Sequence, residues 1–218
     1  MLNGAAAGFV RIGLVPSVIN TLLRPTLAAI GQRAPEIQVQ VVEGAGDEML
    51  GAVANGRVDF AIIGSINPDF TSDIIVSPIC EEEVCVLAHP DHPVFRRRNL
   101  LLSDLTGQRW ILPEKGNAIW VGFDALFRRN GLNPPTPAVT TNSVHTLKSM
   151  VHSGQYLTMM TRVIFALEEE NNLVRPLPLP ETSWKREIVL VRRSHHQAMP
   201  AEKLVLSELM RHARALAC

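Results

Sequence analysis

Residues 47–65 read DEMLGAVANGRVDFAIIGS, and few folds accommodate that order of patterns. Asp47 is a residue type that caps helices, and Met49, Leu50 and Val53 fall on one face of a short helix behind it. Gly56 is placed to end that helix in the left-handed conformation. Residues 58–63 then form a nearly all-apolar run of strand length, the pattern of a parallel strand buried on both faces. A helix running into such a strand is the αβ half of a βαβ unit. Open α/β sheets bind ligands beyond the carboxyl ends of their strands. The apolar run stops at Gly64-Ser65, so Ser65 marks a predicted ligand edge.

The flanking sequence extends the unit. Residues 9–15 (FVRIGLV) predict a first strand, ended by Pro16-Ser17. Ser17 can cap a helix over residues 18–32 whose apolar face is Ile19, Leu23, Leu27 and Ile30. Pro25 falls inside that pattern. Either the helix kinks there, or an initial turn leads into a helix with Pro25 near its start. Residues 37–42 (IQVQVV) alternate as a second strand. Residues 9–64 thus read β-α-β-α-β, a doubly wound half.

A second such half follows. Residues 83–88 and 109–112 predict strands, with a polar loop HPDHPVFRRR after the first. Asn117 precedes a helix over 118–130 with Ile119, Phe123, Leu126 and Phe127 facing inward, stopped by Gly131. After a proline-rich link comes a strand at 138–141. Asn142-Ser143 opens a helix carrying Val144, Leu147, Met150 and Val151 on one face, ended by Gly154. Residues 156–160 predict a buried strand, and Thr161 can cap a last short helix running into Glu168, Glu169 and Glu170. Residues 186–191 (REIVLV) and a helix begun at Pro200, with Val205, Leu209, Ala213 and Leu216 in register, are most simply placed back on the first half. The expected fold class is α/β: two doubly wound, Rossmann-like lobes joined by two crossover strands. The expected lobes are 1–84 with 189–218, and 85–188. Such a hinged clamp places a cleft between its lobes.

Composition narrows the function. The 218 residues carry 21 Lys plus Arg against 21 Asp plus Glu, a formal net charge of zero. A domain that neutralises many phosphates should be basic, so this chain is not expected to grip nucleic acid by itself. No apolar run approaches the roughly 20 residues that span a membrane. MLNGAAAGFV has no basic leader and is not read as a signal peptide. Cys80, Cys85 and Cys218 do not make an even secretory framework, which favours free thiols in the cytosol.

Four segments, in this order and spacing, resemble the effector-binding domain of LysR-type transcriptional regulators: GFVRIGLVPS; NGRVDFAIIG; EEEVCVLAHPDHPV followed by LSDLTGQRWIL; and TTNSVHTLKSMVHSGQYLTMM. The resemblance covers about residues 8–215. It implies the type II periplasmic-binding-protein fold and a cytoplasmic regulatory part of a longer bacterial protein, with the DNA-binding module in an N-terminal domain outside this chain. It also implies a homodimer, a tetramer in the full-length protein, and no membrane partner. Two segments depart from the family pattern. Gly44-Ala45-Gly46 lacks the Ser or Thr often found before the second helix, and Met160-Thr161-Arg162 stands where a Leu-Pro-like pair is usual.

The expected ligand is a small organic effector, a carboxylate, held by Pro16, Ser17, Ser65, Asn117, Asn142, Ser143, Met160 and Thr161. Ser17, Asn117, Ser143 and Thr161 each stand at a predicted helix start, where free N–H groups and a partial positive charge suit an anion. Capping alone also explains those residue types. Lys115 and Arg162 are the cationic candidates, against the alternative of solvated surface charges. Trp120, Met159 and Met160 suit an apolar wall or simply the core. His89 and His92 lie in a two-proline turn with no further ligands near, so no metal is expected. No cofactor motif and no nucleophile–base arrangement stands out, so no enzyme activity is expected. Cys80 and Cys85 are five apart in an extended segment, roughly 16 Å. That separation exceeds disulfide reach, so both thiols are expected to stay reduced. A solute-binding protein feeding a transporter is the alternative function.

Overall fold

The computed structural model describes residues 7–65 and 73–216. Cys218, the start of the N-terminal stretch and the turn-rich gap after Ser65 lie outside the described residues. The chain divides into two compact units, Met1–Glu81 with Glu187–Cys218, and Glu82–Arg186.

The first unit is built on a sheet in the order β2-β1-β3-β9. β1 (Gly8–Leu14) pairs in parallel with β2 (Ile37–Glu43) and with β3 (Phe60–Gly64). β9 (Ser183–Arg193) runs antiparallel to β3, from Phe60 opposite Arg192 to Gly64 opposite Ile188. All five residues of β3 are buried, as an apolar run between parallel neighbours requires. Asp59, just before it, is met by Arg11, whose backbone N–H and Nη2 donate to its carboxylate at 2.7 and 2.6 Å.

The helices of this unit refine the sequence expectations. Pro25 sits at the start of α1 (Arg24–Arg33), and the turn before it, Ile19–Leu23, is π-helical. The missing proline N–H and the bulk of its ring prevent one continuous α-helix, and a widened turn absorbs the mismatch. α2 (Gly46–Ala54) has Ala45 at its N-cap, with Asp47 inside its first turn. The expected Asp47 cap is therefore corrected. Its carboxylate accepts from the Glu48 N–H at 2.9 Å within that first turn, where the positive helix end favours a negative charge. Gly56 follows α2 with φ +75° and ends the helix as expected. α6 (Pro200–Leu216) packs against α1 and β1, burying Val205, Leu209 and Ala213 in the core of the first unit; Leu216 is exposed.

β4 (Ile74–Ala88) is longer than the strand expected over 83–88. Pro78 and the Glu81-Glu82-Glu83 run lower strand propensity there, so the sequence pattern shows only its buried end. Val84 to Leu87 pair antiparallel with β7 (Thr158–Thr161), and the tip of β4 pairs with β8 (Arg175–Pro176). β5 (Ile111–Leu112) runs parallel to β6 (Val139–Thr140), and a parallel bridge joins Trp110 to Leu157 at the entrance to β7. α3 (Ala118–Arg129), α4 (Val144–His152) and α5 (Arg162–Glu170) follow β5, β6 and β7 respectively. Gly131 and Gly154 take φ +69° and +75° just beyond α3 and α4.

An aromatic cluster centres the second unit. Trp110 is fully buried, with Phe123 at 4.9 Å and Phe127 at 6.0 Å between ring centroids, both edge to face. Its indole N–H donates to the Leu105 carbonyl at 3.0 Å, so the polar tip is satisfied inside the core. Met159 and Met160 are buried in the same unit, Met159 beside Trp110 and Met160 beside Cys85 and Phe165.

Candidate functional site

In the second unit β5, β6 and the entrance to β7 are parallel, so α3, α4 and α5 all begin at one sheet edge. Asn117 caps α3, its Oδ1 accepting from the Ile119 N–H at 3.0 Å. Ser143 caps α4, its Oγ accepting from the Thr146 N–H at 3.2 Å. Both bonds match the expectation. Thr161 occupies the N-cap position of α5, but its side chain makes no cap bond. The expected Thr161 cap is corrected: the residue is also the last of β7, and its fully buried Oγ1 has no hydrogen-bond partner among the described residues. A hydroxyl without a partner in that position is costly.

Asn142 joins two of these helix starts. Its Oδ1 accepts from the Glu114 N–H at 3.1 Å and its Nδ2 donates to the Glu114 carboxylate at 3.2 Å. Glu114 in turn accepts the Asn117 N–H through its carbonyl at 3.2 Å. Asn117, Asn142 and Ser143 are thereby brought together at the ends of β5 and β6. The sequence singled out Asn142 but not Glu114, since a tie across 28 residues leaves no local pattern.

The first unit offers a comparable edge. The Val15 N–H donates to the Ile62 carbonyl and the Gly44 N–H to the Leu14 carbonyl, both at 3.1 Å. These bonds hold the turns after β1 and β2 against the ends of their neighbours. Pro16 is half-buried and Ser17 is 2% exposed within the first turn. Ser17 does not stand at the N-cap as expected: Val18 precedes the π-helical turn, which has no side-chain cap. Its buried position follows from two further turn bonds, Val18 N–H to Val15 and Ile19 N–H to Pro16, that fold the chain back before the helix begins. Ser65 is exposed, and its N–H donates to the Glu187 carbonyl at 2.7 Å.

The cationic candidates have partners of their own. Arg162 donates from Nη1 to Glu83 at 3.1 Å and from Nη2 to Glu169 at 2.6 Å, and these bonds raise its pKa above the usual arginine value. Glu83 accepts from the Ser183 hydroxyl at 2.6 Å. That bond, followed by the one from Arg162, holds the Glu83 carboxyl below the usual range. Lys115 places its Nζ 5.7 Å from the Trp120 ring centre. Trp120 is half-buried, whereas Met160 packs in the core.

His89 and His92 each serve the turn that contains them. The Nδ1 atoms accept from the Asp91 and Val94 N–H groups, both at 3.2 Å. Burial pushes the His92 pKa down. Cys80 and Cys85 lie in the single strand β4, both as free thiols. Cys85 is buried, and desolvation pushes its thiol pKa up, which disfavours the reactive thiolate.

Comparison with known proteins gives this geometry a family. The domain model described as LysR substrate binding domain matches residues 3–214. The HTH-type transcriptional regulator GalR of Pseudomonas putida is 27% identical over 201 residues, which are 92% of this chain and 50% of that protein. The chain therefore spans about half the length of that relative. The effector binding domain of QuiR in complex with shikimate shares the fold with a TM-score of 0.81 at 17% identity, covering 96% of this chain and 98% of that one. The CcmR regulatory domain of Synechocystis PCC6803 in complex with 2-PG gives 0.83 at 18% identity, covering 95% and 98%. The relatives are transcriptional regulators rather than enzymes, and the transporter alternative finds no support among them. With a family match over almost all of its length and an α/β fold of the type II periplasmic-binding-protein kind, the chain belongs to the LysR substrate-binding domain family.

Proposed function

We propose that this chain is the sensing part of a longer, cytoplasmic transcriptional regulator, and that its effector is a small organic anion, a carboxylate. The observation that carries the reading is the convergence of three helix starts on one sheet edge of the second unit, with Asn117, Asn142, Ser143 and the unpartnered Thr161 hydroxyl among them. Helix N-termini offer N–H groups and positive potential to an anion. Ser17 and Ser65, at strand ends of the other unit, are the remaining contacts of this proposal, which keeps the two-lobe effector site expected from the sequence. Two solved relatives, one in complex with shikimate and one with 2-PG, support a small-molecule effector.

Sensing requires that the effector bind one conformation of the chain more tightly than another. The proposed lobes are 1–84 with 189–218, and 85–188, against compact units of Met1–Glu81 with Glu187–Cys218 and Glu82–Arg186. In this reading a homodimer, assembled to a tetramer in the full-length protein, carries the change to separate DNA-binding domains. β2 lies at a sheet edge, which leaves one side of its backbone open to a partner. Native mass spectrometry of the purified protein tests the effector. The expected result is one small acid retained per chain and released on denaturation. Retention of only a neutral, apolar molecule would contradict an anion site.

A further inference from the structure

The sheet edge where α3, α4 and α5 begin carries a carboxylate of its own. Glu114 stands just beyond the end of β5, and its Oε2 accepts from Asn142 Nδ2 at 3.2 Å, immediately before the start of α4. On the reading of this edge as the place of a carboxylate effector, we infer that Glu114 selects the effector's class: a monocarboxylate bearing a hydroxyl group is taken, and a dianion is turned away.

Glu114 is a negative charge left unbalanced at this edge. It is exposed and makes no ion pair among the described residues. Glu83 and Glu169, by contrast, are both bound by Arg162, the first residue of α5. Lys115 directs its ammonium to the Trp120 ring, 5.7 Å from the centre. Like charges about 4 Å apart cost about fivefold in affinity even in water. An effector seated against these helix starts therefore loses affinity for a further acid group turned towards Glu114.

Donors and acceptors are divided across the edge. Asn117 turns its Oδ1 to the Ile119 N–H, and its Nδ2 has no partner among the described residues. That amide and the free N–H groups of the helix starts suit the effector's carboxylate. The Asn142 side chain is committed to Glu114 through both Oδ1 and Nδ2, so it fixes the acid in place. A carboxylate accepts at about four sites, and the Asn142 amide fills one of those on Glu114. The remaining sites only accept. A hydroxyl supplies the donor that a second carboxylate lacks.

The test is an NMR titration of the ¹⁵N-labelled protein with 4-hydroxybutyrate, succinate and butyrate, acids of equal length, at neutral pH and low ionic strength. Saturable shifts at the Glu114, Asn117 and Ser143 amides are expected for 4-hydroxybutyrate, with succinate about fivefold weaker and butyrate about threefold weaker. Glu114→Gln keeps an oxygen for the Asn142 amide and removes the charge, so succinate should bind it about fivefold more tightly than it binds the wild-type chain. Succinate binding the wild-type chain as tightly as 4-hydroxybutyrate, or an unchanged succinate affinity in Glu114→Gln, would overturn selection by Glu114 and leave the anion edge standing. Equal binding of butyrate and 4-hydroxybutyrate would overturn the part given to the hydroxyl. Saturable shifts with none of the three acids would overturn the anion reading itself, and the selection with it. Should Glu114→Gln not fold, the order of the three acids on the wild-type chain decides alone.

Discussion

Glu114 and Asn142 hold each other by two hydrogen bonds, backbone N–H to side-chain oxygen at 3.1 Å and side-chain NH2 to carboxylate at 3.2 Å. The pair locks the loop after β5 to the loop after β6, so two helix starts keep a fixed spacing. Asn142→Asp retains the acceptor for the Glu114 N–H but places a second carboxylate against Glu114. We expect a stability loss of about 1 kcal/mol at this exposed site, measured by urea unfolding, and a larger loss of affinity for an anionic effector.

Gly122 lies in α3, where alanine would ordinarily favour the helix. A Cβ there would stand 2.5 Å from Cζ2 of the Trp184 ring, and an indole cannot yield as a flexible chain end does. Gly122→Ala should therefore destabilise the protein, by about 1–3 kcal/mol from overpacking. A gain in the urea midpoint would show that the ring moves freely.

Ala45 holds the N-cap position of α2 in extended backbone, φ −70° and ψ 157°, without a side-chain cap. Ala45→Ser should stabilise the protein by about 0.5–1 kcal/mol by supplying the missing acceptor. Chemical denaturation reads this directly, and an unchanged midpoint would place the serine hydroxyl elsewhere.

Two titrations shape the acid side of the stability curve. Burial lowers the His92 pKa, so the unfolded chain takes up this proton first and stability falls as pH drops below about 6.5. His92→Asn keeps an acceptor for the Val94 N–H and should flatten the curve below about pH 6.5. Glu83 is depressed by the Ser183 hydroxyl and then by Arg162, so its contribution is present above the unfolded carboxyl value and is lost as pH falls below about 4.5. Glu83→Gln should flatten that lower window only. Glu83 is only half-buried, which keeps this effect small. Urea midpoints across pH 3.5–7.5 (a range of about four units) separate the two windows.

The sequence displays the elements whose patterns are local. The apolar run through Phe60 and Ile63, the glycine stops at Gly56, Gly131 and Gly154, and the caps Asn117 and Ser143 all stand where their residue types predict. Features that depend on distant partners were hidden. Ser17 and Thr161 have capping chemistry, but Val18 takes the position before the first helical turn, and the Thr161 side chain, at the end of β7, makes no cap bond. Arg162 reads as a free cation until Glu83, 79 residues away, and Glu169 are seen around it. The first half of β4 was obscured because Pro78 and three glutamates mask a strand that propensity alone disfavours.

We propose that an anionic effector is held at Ser17 and Ser143. Titration calorimetry of the wild-type chain, Ser17→Ala and Ser143→Ala with a panel of small organic acids, shikimate and 2-PG included, tests it most directly. The account predicts that at least one acid binds with one site per chain and that its affinity falls in both variants, by about 1–3 kcal/mol each. Stability should fall by about 1 kcal/mol in Ser143→Ala through the lost cap. Unchanged affinity in both variants would contradict the proposed site.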